Sequence, residues 1–472
     1  MASDSFTATG RGQYRGSAVV VGAGISGLVV AWDLARAGVR VTVIEAQSVA
    51  GGRLRRAELG DLHIDIGAEA FATRGGSVRE LLDELHLGDR VVQPARLGAW
   101  TVGEGYALPL PEAGALGVPA RPLSRSARET LGFFGALRAS IEPLLPRWIG
   151  RRSGSLAELV RLRLGRRVLD RLVAPVVRGV YSADPEHLQA AAMPGLGAAL
   201  ASDSSLIAAS RKLRDEQSAA GAAVAGIGCG MTVLVDAMLI ELERLGVELR
   251  TGEGAAALEL DPRAVTTERG TRLPADVVVL AVAESAARAL LGLPALERAS
   301  ETPVEVVALR LVDSRLDARP RGTGVLVAEG CSVSAKALTH VTAKWPQLSL
   351  PPGEHVLRLS YGRAGRAPET AELSDAAAAE LALSDASRLL GIQLRPSKLR
   401  GAVRHRWNNG LPPSPERSIE PREGVMFTGD WVHGSGLASV IPGARSTARD
   451  ALHYLTTRST QAARSRAEGV FQ

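Results

Sequence analysis

The pattern of apolar and polar positions divides this chain before any motif is considered. Ser17-Ala-Val-Val-Val-Gly22 is continuously apolar and β-branched, the pattern of a short strand buried on both faces. Apolar residues then recur at helical spacing from Leu28 to Ala37. Gly38 closes that segment, and Val39-Arg-Val-Thr-Val-Ile44 reads as a second strand ending at Glu45. Similar strand patterns return at Val247–Arg250, Ala275–Val282 and Gly424–Thr428, so one sheet is assembled from stretches far apart in the chain. Residues 111–225 are dominated by Ala, Leu and Arg at helical spacing, including Ser155 to Val177, and predict a helical insert. Residues 301–400 alternate instead, as in Val304-Glu-Val-Val-Ala-Leu-Arg-Leu311 and His355-Val-Leu-Arg-Leu-Ser360, which predicts a second sheet.

The turn between the first strand and helix is Gly22-Ala23-Gly24-Ile25-Ser26-Gly27. Gly22 permits the tight turn, Gly24 lets backbone approach a pyrophosphate, and Gly27 lets helix and strand pack closely. The helix N-terminus offers unpaired N–H groups to the phosphates. Glu45, eighteen residues beyond Gly27, supplies a carboxylate for ribose hydroxyls. Strand, glycine turn, helix and acidic strand end together predict a bound dinucleotide. A second glycine turn follows at once in Gln47-Ser-Val-Ala-Gly51-Gly52-Arg53-Leu54, then His63-Ile-Asp65-Ile-Gly67-Ala68-Glu69-Ala70-Phe71. An NAD site needs no such second loop, whereas FAD is longer and wraps further across the sheet. The far end returns to the cofactor: Gly424–Thr428 runs into Gly429-Asp430, a glycine loop containing Ser435, Gly436 and Leu437, and a helical pattern from Pro442 to Leu455.

Composition narrows the picture by exclusion. At 472 residues the chain is too long for one core, and 46% apolar with 22% charged residues is ordinary for a globular protein. The net charge of +6 rests almost wholly on arginine, with lysine only at 212, 336, 344 and 398. With 4% aromatics to stack on bases, that charge points to small anionic ligands and not to nucleic acid. Two cysteines, Cys229 and Cys331, give neither a disulfide framework nor metal-ligand spacing, so no metal is expected and a cytoplasmic setting fits. The apolar stretch Ala18–Trp32 is too short and glycine-rich for a transmembrane segment. The eight histidines form no HxH or HExxH pattern.

The two cofactor ends resemble the glutathione-reductase-type FAD fold in its amine oxidase and protoporphyrinogen oxidase branch. A closer resemblance, to the bacterial porphyrinogen oxidases, lies in Leu172-Val-Ala-Pro175-Val-Val-Arg-Gly179-Val-Tyr181-Ser-Ala-Asp184, Gly228-Cys-Gly230-Met231, Gly322–Val327, Ala343-Lys344-Trp345-Pro346, Gly353–Gly365 and Arg406-Trp407. These segments cover nearly the whole chain. The resemblance implies an α/β fold: an FAD-binding Rossmann domain (15–90, 226–300, 401–456), a mixed-sheet substrate domain (91–110, 301–400) and a helical insert (111–225). The ends, 1–14 and 457–472, are expected to be loose tails. FAD is expected on Gly22 to Gly27, Glu45, Ala46, Gly52, Arg53, Gly67 to Ala70, Ala255, Trp407, Gly429, Asp430 and Ser435 to Leu437.

The implied reaction is oxidation of coproporphyrinogen III to coproporphyrin III in haem biosynthesis, six electrons passing to three O2 to give three H2O2. The flavin does the redox work, so no catalytic base is assigned. Propionates call for cationic partners; Arg74 and Lys344 are the candidates, with Tyr361 lining the pocket. Each has an ordinary alternative: a surface arginine, a salt bridge at the sheet edge, a packed strand aromatic. Protoporphyrinogen IX, with two propionates where coproporphyrinogen III has four, stays open as substrate, as do amine oxidase, desaturase and non-catalytic escort functions. Partners expected besides substrate and O2 are a peripheral membrane contact and a transient contact with the next haem-pathway enzyme. Two departures from the family bear on substrate choice: Gly75 where some members carry lysine, and a shortened link after Trp407.

Overall fold

The computed structural model describes residues 16–469 apart from 112–114, 147, 151, 182–183, 190–204, 220–223, 296–300, 349, 364–365 and 411–418. The expected N-terminal tail and the shortened link beyond Gly410 lie outside the described residues.

Ser17–Val21 forms the centre of a five-stranded parallel sheet in the order Glu248–Thr251, Arg40–Glu45, Ser17–Val21, Val277–Leu280, Val425–Phe427. Helices cover one face: Ile25–Arg36 packs between Thr232–Arg244 and the C-terminal helix Leu437–Gly469. A three-stranded antiparallel sheet spanning Ala255–Leu260, Arg263–Thr267 and Arg272–Pro274 backs the other face. Covered on both sides, the central strands are apolar and buried from Ala18 to Val21 and from Val277 to Leu280, as the sequence pattern required. Three separated stretches therefore build this domain. The C-terminal helix runs on to Gly469, so much of the tail expected from 457 is helical.

The second sheet has seven strands in the order Leu399–Gly410, Glu301–Val312, Glu354–Tyr361, Ala337–His340, Gly324–Val327, Trp100–Gly103, Tyr106–Pro109. Val307, Leu309, Leu311, Leu357, Leu359 and Tyr361 face the helix Asp375–Leu390. Their neighbours Val306, Ala308 and Val356 pack the other way, on Leu59, Ile64 and Ile66 of the hairpin Arg56–Leu59/Leu62–Asp65. One correction to the domain limits follows. Leu399–Gly410 pairs with Glu301–Val312 along nearly its whole length, so it belongs to this sheet and not to the cofactor domain assigned from 401.

The insert is helical, with Arg125–Ser140, Leu156–Leu164 and Leu206–Ala219 around its own core. The helical pattern from Ser155 to Val177 is two helices: Gly165, at φ +93°, ends the first. Glu142 and Arg163 form a fully buried ion pair at 2.6 Å. Glu142 also accepts the N–H groups of Leu206 (2.8 Å) and Ile207 (3.2 Å), satisfying the start of the third helix with a negative charge. Val224–Ile227 then leaves the insert and pairs with Phe71–Ala72 and Val91–Val92.

Candidate active site

At the first turn, a side chain on Gly27 would meet the Gly22 carbonyl oxygen at 1.9 Å, so only glycine allows this helix to sit so close to its strand. Gly24 is the opposite case. A Cβ there meets nothing within 4 Å, because the loop leaves open space before the helix N-terminus. Glu45 shapes the loop from below, accepting the N–H groups of Ala23 (2.7 Å) and Gln47 (2.9 Å). The Glu45 carbonyl takes the Glu253 N–H at 2.9 Å, which brings Ala255 and Ala46 to the same edge.

The second glycine turn lies against the first. Gly51 donates its N–H to the Ala23 carbonyl (2.8 Å), and a Cβ on Gly52 would stand 3.2 Å from the Gly24 Cα. Arg53 then reaches the far end of the chain, its Nη1 lying 2.7 Å from Asp430 Oδ2. Asp430 follows the turn at Gly429 (φ +128°) as the first residue of a short helix and accepts the Trp431 N–H at 2.9 Å. Ser435, Gly436 and Leu437 follow, leading into the C-terminal helix. Motifs separated by nearly four hundred residues thus meet in one ion pair.

Gly67 is the pivot of the inner wall. The Arg53 carbonyl would lie 2.0 Å from a Cβ there and the Trp407 ring 3.1 Å, while Ala68 donates to the Arg53 carbonyl at 2.9 Å. Trp407 comes from the second sheet, and its indole N–H is buried with no protein partner among the described residues. An unpaired buried donor is costly, so this one marks a place for an acceptor outside the protein. The His405 ring lies 4.2 Å from that of Trp407.

Glu69 ties the inner wall to the second sheet. Its carboxylate takes Lys344 Nζ at 2.5 Å and Arg358 Nη1 at 2.9 Å. Arg358 also donates to the carbonyls of Ile66 (3.1 Å) and Gly67 (2.7 Å). Burial opposes ionisation of Glu69, but Lys344 and Arg358 overcome it and hold the carboxyl at about 2. Ala70 follows, then Phe71 in a short strand. Arg358 has no role in the reading from sequence, although an arginine in the strand run Val356-Leu357-Arg358-Leu359 is a signal for a buried partner.

Asp65, also without an assigned role, accepts the Met231 N–H with both oxygens (3.1 and 2.9 Å). Burial is the main effect on its acidity and raises the carboxyl to about 6, against the Met231 hydrogen bond and Arg358. A raised folded-state value means the folded protein holds this proton more tightly than the unfolded chain. The stability it contributes is present below the ordinary carboxylate range and is lost as pH rises through about 6. Asp65→Asn is therefore expected to remove part of the stability slope across that window, read as the variant-minus-native difference in urea midpoint. A flat difference curve would refute it.

The substrate candidates separate. Arg74 Nη2 donates to Ser439 Oγ at 2.8 Å, so it sits at the first turns of the C-terminal helix, beside the cofactor end. Lys344 is taken up by Glu69, the salt bridge that was its alternative. Tyr361 is a correction: it is fully buried under the helix Asp375–Leu390, 3.3 Å from Asp385, on the sheet face away from Trp407. A strand alternates its faces, and this register sends position 361 to the core.

These features define a nucleotide cradle closed by a tryptophan, and the residues fit FAD: open space at Gly24, a Gly-Gly-Arg loop stacked on it, and an unpaired indole donor beside Gly67. The chain belongs to the flavin containing amine oxidoreductase family, whose model matches residues 25–451. It is an FAD-dependent oxidase. Among curated relatives, the coproporphyrinogen III oxidase of Mycobacterium bovis is 32% identical, covering 83% of this chain and 86% of its own length. That of Bacillus subtilis is 25% identical, covering 93% and 98%. A solved structure from Exiguobacterium sp. 255-15 shares the fold with a TM-score of 0.79 at 23% identity, covering 92% of this chain and 98% of that one. Among the described residues no helix is long and apolar enough to cross a membrane, and no cluster of side chains could hold a metal ion.

Proposed function

We propose that this protein oxidises coproporphyrinogen III to coproporphyrin III in haem biosynthesis, with O2 as the acceptor. The observation that carries the reading is the likeness at 32% identity, over most of both chains, to a coproporphyrinogen III oxidase. FAD, when bound, supplies two-electron oxidation of the substrate and passes the electrons to O2. The chain's own residues hold and orient. Gly22 to Gly27 and Glu45 fix the nucleotide end; Arg53 and Asp430 join the two halves of the cradle; Trp407 and the Gly67–Ala70 segment form the inner wall. Lys344 and Arg358 keep Glu69 ionised and that wall in place.

Arg74 is the propionate partner in this reading. It spends one N–H on Ser439 and has no carboxylate partner among the described residues. Arg74→Ala is expected to lower kcat/KM for coproporphyrinogen III by about ten- to a hundredfold with flavin content unchanged, the scale of one charge-assisted contact. Lysine there should rescue only in part, since it lacks the planar two-point contact. Native efficiency in Arg74→Ala would place the propionate site elsewhere.

The test of the function itself is a panel of porphyrinogens prepared without oxygen, followed by porphyrin fluorescence. Faster turnover of coproporphyrinogen III than of protoporphyrinogen IX supports the proposal. The reverse order, or oxidation only of amines, overturns it.

A further inference from the structure

A second cavity, of about 660 Å³, lies beside the cradle where the two domains meet. Its walls are the loop after Glu45, the strand Arg56–Leu59, the helix Thr232–Arg244 and the strand Leu399–Gly410. Leu54, Ile66, Val235, Leu239 and Val403 make most of the surface apolar. None of its lining residues belongs to the cradle, yet it abuts the cradle at three points. Leu54 follows Arg53, Ile66 precedes Gly67, and the His405 ring lies 4.2 Å from that of Trp407. The size is that of a cavity for a small organic molecule.

The charges on its wall do not balance. Arg56 donates to Thr232 Oγ1 at 2.9 Å and pairs at 3.1 Å with Asp236, the only acid among the lining residues. Arg55 has no such partner. Among the described residues neither its guanidinium nor the nitrogens of the His405 ring meet a protein group in a hydrogen bond or ion pair. The two sense each other: burial, and then the Arg55 charge, push the His405 pKa down. A half-buried guanidinium beside an imidazole, with no carboxylate to answer them, makes one end of an apolar cavity attractive to an anion.

The body of that anion follows from the rings. Val403, His405 and Trp407 alternate along one strand and so share a face. The His405 and Trp407 rings are already in contact, and an aromatic ring in the cavity extends that stack. Arg55 suits the same ligand twice over, since a guanidinium packs on aromatic faces and takes a carboxylate through two parallel N–H groups.

We propose that this cavity is a binding site for an aromatic carboxylate, held by Arg55 and His405 at its charged end. The proposal does not depend on which porphyrinogen is oxidised.

The test is titration calorimetry of the intact, FAD-loaded protein with naphthoate and with its uncharged counterpart, naphthalenemethanol. A single equivalent of naphthoate is expected to bind, at least about tenfold more tightly than the alcohol. Arg55→Gln should weaken that binding by about ten- to a hundredfold, the scale of one charge-assisted contact. Leu239→Trp, which fills the cavity, should abolish it. Flavin absorbance should be unchanged in both variants. Arg74→Ala should bind naphthoate as the native protein does, so that failure here is separate from failure of the propionate assignment. If Leu239→Trp does not fold, the Arg55→Gln titration decides alone. No binding, or equal binding of acid and alcohol, overturns the proposal. So does binding that survives Arg55→Gln and is lost in Arg74→Ala, because the anion would then sit in the cradle.

Discussion

Gly24→Val is expected to give folded, colourless protein, and Gly27→Val is expected to give no folded protein at all. The two glycines stand three residues apart in one turn and differ in what surrounds them. A side chain at Gly24 enters space that no protein atom occupies, so the fold tolerates it, but that space is where the pyrophosphate must approach the helix N-terminus. Affinity for FAD should fall by at least about a hundredfold, or about 3 kcal/mol. At Gly27 the added carbon would lie 1.9 Å from the Gly22 carbonyl oxygen and 3.1 Å from Ala281 Cβ, so helix and sheet would have to separate. Visible flavin absorbance and far-ultraviolet circular dichroism distinguish the two outcomes. A folded, yellow Gly24→Val protein would remove the phosphate assignment.

Glu69→Gln should be strongly damaging. The side chain is isosteric, so packing is kept, but Lys344 and Arg358 lose the charge that both of them face. Removing one partner from a largely buried cluster leaves its cations uncompensated, which costs about 3–5 kcal/mol. The melting temperature should drop sharply. Flavin content should drop with it, because Arg358 also fastens the Ile66 and Gly67 carbonyls of the inner wall. Arg358→Met with Glu69→Gln should be less unstable than the sum of the two single changes, since the pair is coupled. With Glu69 held near 2, the native cluster stays charged through neutral pH; its stabilising effect is present above the ordinary carboxylate range and fails as pH falls towards about 2. A native-like melt for Glu69→Gln would show that the cluster is solvated and that the inner wall is held by other contacts.

Local grammar made the cofactor domain legible. A buried strand, three glycines with distinct steric duties, a helix and a terminal acid are consecutive in sequence, and each constraint acts within a few residues. The same holds for Gly51-Gly52-Arg53 and Gly429-Asp430, where backbone conformation at glycine announces the turn. The helical insert and the second sheet were visible as periodicities of different length. The resemblance to a known family then joined these pieces, and the comparisons support it across the chain.

What the sequence determined by itself is therefore the set of local elements, the dinucleotide turn and the class of cofactor. Partnership was decided only in three dimensions. Leu399–Gly410 reads as a strand in either domain until its ladder with Glu301–Val312 assigns it to the second sheet. Tyr361 and Arg358 lie three apart on one strand, yet one is buried beneath a helix and the other grips the cofactor wall, because the register sends alternate positions to opposite faces. Lys344 could be a propionate partner or a salt bridge in sequence, and the fold pairs it with Glu69. Glycine geometry is a property of a few adjacent residues; a charge acquires its role from whichever distant group folding places beside it, and no local pattern encodes that distance.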